Sequence, residues 1–208
     1  MNTHTGCQLT LMDTCSYGRM GLAAVFSGAL SISSVTVTGS LQEAFSTMLC
    51  SAKHDEAMRH LVIRLPTTAQ AALVLLLQLS DIIEAGAFTY QQVMVLSPFD
   101  VSVVQRMITT LGMDGIHVVD DRLSVLNLYR AILPVNGCKD EAKLHRSVLS
   151  RLTPGERKVL YYSLMNWPIH RQARSWRVSP KTIYTQRAGA LRKLGVADIL
   201  SLLRYLNP

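Results

Sequence analysis

Eleven of the chain's 21 Lys and Arg residues lie in residues 151–208, against two acids there, Glu156 and Asp198. Residues 1–150 hold ten Lys and Arg against 12 Asp and Glu, so the formal charge of +7 divides into −2 and +9. A segment this basic is an electrostatic footprint for a polyanion, although a solvated basic surface gives the same count. Spacing adds what the count lacks. Lys181, Tyr184, Thr185, Ala188 and Arg192 recur at helical offsets of three, four, seven and eleven, while Ile183, Ala190, Leu191 and Leu194 occupy the other side. One face can pack while the other turns hydrogen-bonding groups and charge outward.

Other chemistry is thinly represented. The four cysteines, Cys7, Cys15, Cys50 and Cys138, match no zinc or redox spacing. The pairs His4 with Cys7 and Cys50 with His54 fall short of the four closely spaced ligands of a closed zinc site. There is no Ser-His-Asp order and no Gly-rich phosphate loop, and His117 reads as packed or exposed. We therefore expect neither an enzyme nor a cofactor or metal. The longest apolar run, Ala71–Leu77, is far below the roughly 20 residues of a membrane span and reads as a buried helix. Met1–Gly6 is polar without the basic flank of a signal peptide, so a cytoplasmic location is expected.

The elements that must position the basic segment begin with a regular alternation. Gln8–Asp13, Ser34–Thr38, His60–Leu65, Gln92–Leu96 and Gly115–Val119 read as short apolar strands. Tyr17–Phe26, Leu41–Cys50, Ala69–Ala85, Val101–Leu111 and Ser124–Leu133 between and after them have helical spacing. Five β-α units predict a parallel, doubly wound sheet of flavodoxin-like kind over residues 1–133. A polar linker is expected over 134–150, then an all-helical domain over 151–208.

In that domain Thr153, Pro154 and Glu156 form a helix start. A short helix from Pro168 to Trp176, a three-residue turn Arg177-Val178-Ser179 anchored by Val178, and a longer helix Pro180–Leu194 make a helix-turn-helix. In this motif the second helix enters the major groove of duplex DNA. Lys181, Tyr184, Thr185 and Ala188 are then placed to read base edges. Arg171, Arg174, Arg177, Thr182, Arg187 and Arg192 are placed to hold phosphates, which position without reading sequence. A fourth helix, Asp198–Leu206, carries Ile199, Leu202, Leu203 and Leu206, a stripe that serves either as a dimer face or as core.

Leu152-Thr-Pro-x-Glu156, Val159-Leu160, Val178-Ser179-x-Lys181-Thr182-Ile183, Thr185, Arg187 and Arg192-Lys193-Leu194-Gly195-Val196 resemble the LuxR/FixJ-type (NarL-like) DNA-binding domain without gaps over Leu152–Tyr205. Gln186 and Leu202-Leu203-x-Tyr205-Leu206 bring it nearest the Rcs capsule-synthesis branch. Three positions depart from the family. Asn166 stands where glycine is usual, Gln172 where an apolar residue is usual, and Trp176 where the residue is usually smaller. The preceding part resembles a response-regulator receiver, and Leu11–Tyr17 with Arg19-x-Gly21-Leu22 resembles its RcsA-like accessory members.

The resemblance implies two acids after the first strand, an Asp acceptor after the third, Ser or Thr after the fourth and Lys after the fifth. This chain offers Asp13 alone, then Arg64 and Leu65, Ser97, and Val119 before Asp120 and Asp121. A phosphoryl group moving onto a carboxylate needs a divalent cation held by oxygen ligands, so a degenerate receiver that works without phosphorylation is expected. The resemblance further implies a DNA-binding transcription regulator acting as a homodimer, or as a heterodimer with a related, RcsB-like response regulator, on surface-structure genes. The competing expectation is an accessory protein that docks on another regulator and reads few bases.

Overall fold

The computed structural model describes residues 7–29, 31–51, 58–86, 90–132 and 151–206. His4, His54, Cys138 and the 134–150 linker lie outside them. Five strands, β1 (Cys7–Met12), β2 (Ile32–Thr38), β3 (Met58–Arg64), β4 (Gln92–Ser97) and β5 (Ile116–Asp120), pair in parallel in the order β2-β1-β3-β4-β5. The inner strands are nearly continuous apolar runs, as a parallel sheet covered on both faces requires. Helices α1 (Ser16–Phe26) and α5 (Val125–Ile132) close one face over Leu9, Leu11, Val62, Met94 and Leu96. Helices α2 (Leu41–Ser51), α3 (Ala69–Glu84) and α4 (Val101–Thr110) lie against the opposite side. Asp100 caps α4 by accepting from the Val103 N–H, and Gly112 at φ +83° follows its end, a conformation that suits glycine.

Four more helices follow, α6 (Pro154–Leu164), α7 (Ile169–Trp176), α8 (Pro180–Lys193) and α9 (Ile199–Leu206). The fold is therefore a flavodoxin-like doubly wound sheet followed by a helix-turn-helix. Local sequence builds each helix end. Thr153 and Glu156 make a reciprocal capping box at α6, with Pro154 in its first turn. Ser179 caps α8 through the Thr182 N–H, again followed by proline. Asn166 and Arg177 take left-handed φ values of 58° and 55° after α6 and α7. Asparagine is the commonest non-glycine residue there, which explains why Asn166 can replace glycine.

Helix α3 is apolar on nearly every side, with Leu73, Leu75, Leu76, Leu77 and Leu79 all buried. Its inner side meets the sheet and its outer side meets α6 and α9. A helix covered twice keeps only a narrow polar edge, here Gln70, Gln78 and Asp81. Polar contacts tie the same junction together. Arg157, buried on α6, binds Asp81 at 3.1 Å and also Glu84, and donates to the Leu152 carbonyl at 3.1 Å. The Leu152 N–H donates to the Thr110 carbonyl at 2.9 Å, and Arg106 lies 5.6 Å from the Tyr205 ring centroid.

Candidate nucleic-acid interface

Helix α8 divides as its spacing predicts. Ile183, Ala190 and Leu191 are buried against α6 and α7. Lys181, Tyr184, Thr185 and Ala188 are exposed, Tyr184 by 50%. The Thr185 hydroxyl donates to the Lys181 carbonyl at 3.0 Å, which leaves its oxygen lone pairs facing outward. Around this stripe Arg171, Arg174, Arg177 and Arg192 are exposed and Arg187 is half-buried, its guanidinium 5.3 Å from the Tyr184 ring centroid. Thr182 is exposed, but its N–H and hydroxyl are both engaged with Ser179, at 3.1 and 2.8 Å. Of the proposed phosphate contacts it is the one already committed to a helix cap.

One sequence expectation meets a different arrangement. Val178, expected to anchor the turn, is 40% exposed. The turn is held instead by its backbone N–H donating to the Ala173 carbonyl at 3.0 Å, with Ala173 and Trp176 packed against Val159 and Ile183. The α9 stripe, left open as dimer face or core, lies within one chain's core. Leu202 and Leu206 are 0% and 1% exposed, with Ile199 and Leu203 half-buried beside them. Leu200 is the large exposed apolar residue of this helix.

Spacing gave no sign of several pairings. Gln172, fully buried, donates to the Trp167 carbonyl at 2.9 Å and so ties down the α6–α7 loop. Lys193 binds the Glu156 carboxylate at 2.7 Å, joining the far end of α8 to the start of α6. Burial alone would push the Glu156 carboxyl up, but the Lys193 ammonium and the Thr153 N–H outweigh it and hold it below the ordinary glutamate range. A lowered folded-state value gives stability that is present above the unfolded value and is lost as pH falls through the folded one. Glu156→Gln should therefore unfold at lower urea than the parent near neutral pH, with the gap closing as acidification protonates Glu156. A gap that persists in acid would remove the ion pair as its cause.

At the carboxyl ends of the strands, where open α/β sheets hold their ligands, Arg64 lies between two acids. Its guanidinium is 3.5 Å from Asp13 and 3.1 Å from Asp121, whose side chains are 5% and 8% exposed. Burial alone would push the guanidinium down, but Asp121 and then Asp13 hold it above its ordinary range. Gly18 completes the clasp, because a Cβ there would lie 2.0 Å from Asp13 Oδ2. Ser97 is turned away into a local turn, exchanging hydrogen bonds of 3.0 Å with the Phe99 backbone. A divalent cation does not fit this donor set, since a fixed cation already takes both carboxylates.

No family model matches the chain, nor does any curated protein. Among solved structures it is similar to RcsB from Salmonella enterica serovar Typhimurium bound to the promoter rprA, at 18% identity and TM-score 0.58, covering 98% of this chain and 99% of that one. A complex of the two-component response regulator RcsB with DNA gives 18% identity and TM-score 0.57, over 98% and 100%. A further Salmonella typhimurium RcsB gives 19% and 0.54, over 98% of each. At these identities the likeness is one of fold. It spans both the parallel sheet and the helix-turn-helix.

Proposed function

We propose that the chain is a sequence-specific DNA-binding transcription regulator of the LuxR/FixJ type whose receiver half works without phosphorylation. The observation that carries this is the exposed stripe Lys181, Tyr184, Thr185 and Ala188 on a helix whose opposite face is buried, flanked by exposed arginines. Such a helix can enter the major groove with its own packing intact. The structurally similar RcsB has been solved on DNA, which supports the same use of the fold here. For the receiver half, the support is the Arg64 clasp, which puts a positive charge where a phosphoryl-transfer site needs free oxygen ligands. The regulator acts as a homodimer or as a heterodimer with a related response regulator, on genes for surface structures. Tyr17 and Met20 on α1 and Val125 and Leu126 on α5 leave exposed apolar side chains that favour such pairing.

Genome-wide occupancy of the tagged protein, with Lys181→Ala/Tyr184→Ala as control, tests the reading. Discrete peaks are expected, and the control should lose them, since each good base contact discriminates by about 1–3 kcal/mol. Peaks that survive in the control would transfer the role to docking on another regulator.

A further inference from the structure

Two sets of cations in residues 151–206 are held in place in different ways. Arg151, Arg157 and Lys193 are paired with Asp114, with Asp81 and Glu84, and with Glu156. These serve the junction with the sheet and the capping of α6. Lys158 and Arg171 form no ion pair among the described residues, yet each is held in place. The chain has two tryptophans, and each ring carries one of these cations. Lys158 Nζ lies 4.6 Å from the Trp176 ring centroid, and the Arg171 guanidinium carbon lies 4.0 Å from that of Trp167. Tyr162 stands between the rings, its centroid 4.6 Å from Trp167 and 5.3 Å from Trp176. Gln172 fixes the Trp167 backbone from inside.

A ring face orders a cation without neutralising it. A carboxylate would order it and cancel its charge. Seating a long side chain on a ring thus removes rotamer freedom before binding and leaves the full charge for an anion. The location fits one anion. Trp167 precedes α7, and Trp176 is its last residue, beside the turn into α8. Helix α7 is the first helix of the motif, the one that crosses the DNA backbone while its successor lies in the groove.

We propose that Lys158 and Arg171 are contacts to the phosphodiester backbone of duplex DNA at the two ends of α7, and that Trp176 and Trp167 are the positioning residues that present them. The inference rests on the DNA-binding reading above. It adds Lys158, on α6, to the interface and gives both tryptophans a part in it. It also accounts for Trp176, a departure from the smaller residue usual in the family, as a shelf for Lys158.

The test is the salt dependence of full-length protein binding to a mixed-sequence duplex of about three helical turns, followed by fluorescence anisotropy. Lys158→Gln and Arg171→Gln each remove one exposed charge without touching the core. Each should flatten the slope of log K against log salt by about 0.9. Trp176→Leu should weaken binding in the parent but leave a Lys158→Gln background unchanged, and Trp176→Phe, which keeps a ring face, should restore the parent affinity. A merely structural tryptophan would cost the same in both backgrounds. Parental slopes in both glutamine variants would overturn the proposal while leaving the DNA-binding reading intact. A parent protein with no affinity for the duplex would overturn both.

Discussion

Arg64→Met should lower the stability of the chain by about 3 kcal/mol at neutral pH, because removing one partner of a buried ion pair leaves uncompensated charge behind. Here two carboxylates are left, Asp13 and Asp121, both almost fully covered. The figure sits at the low end of the usual range because the guanidinium itself is 35% exposed, so water can partly replace it. Two further variants identify the cause. Arg64→Met/Asp121→Asn should recover most of the loss, since it removes the stranded charge. Arg64→Lys should fall between, because a single ammonium cannot serve two acids as a planar guanidinium does. Urea unfolding of the four proteins is the measurement. A loss under about 1 kcal/mol, or no rescue by Asp121→Asn, would show the clasp to be a surface pair.

The clasp also marks how far sequence reasoning reaches. Arg64 stands out because it ends an apolar strand where an acid is expected next, and Asp13 is the acid that follows β1. Their partner Asp121 follows β5, two strands from β3 in the sheet, and nothing in local spacing pairs the two. The same limit applies to the helix-turn-helix half. The α8 stripe was legible because it is a property of one helix, with period, cap and boundary all local. Lys158 on Trp176 joins α6 to α7, and Arg157 on Asp81 joins α6 to α3; both depend on tertiary packing. Val178 was misplaced for a related reason. An apolar residue in a turn reads as an anchor, but Trp176 and Ala173 already fill the space beneath it. Helix α3 was recognised from its apolar run, whereas the cause of that run, a second covering layer of α6 and α9, was not.

Leu202→Ala tests that second layer directly. Leu202 is 0% exposed, on a helix that packs against both α3 and α4. Truncating a fully buried leucine removes transfer free energy and leaves a cavity, together about 2–5 kcal/mol. The size alone does not discriminate, since a leucine at the centre of a dimer interface would also cost several kcal/mol. Concentration does. If α9 is held within its own chain, the loss is a property of the monomer, and the difference between the unfolding midpoints of parent and variant stays fixed on dilution, whichever other surface pairs. If the stripe is a dimer face, the parent's midpoint rises with protein concentration more than the variant's, because association is linked to folding by mass action. Both uses cannot hold at once, since α9 must leave α3 and α4 before it can meet a second copy. Leu200→Ala is the control: this side chain is 56% exposed on the same helix and should cost under about 0.5 kcal/mol. A dilution-independent loss at Leu202 with no loss at Leu200 would make the closed arrangement the folded state of the single chain, with pairing left to other surfaces. A Leu202→Ala loss that grows with protein concentration would place α9 at the dimer interface and remove it from the core described here.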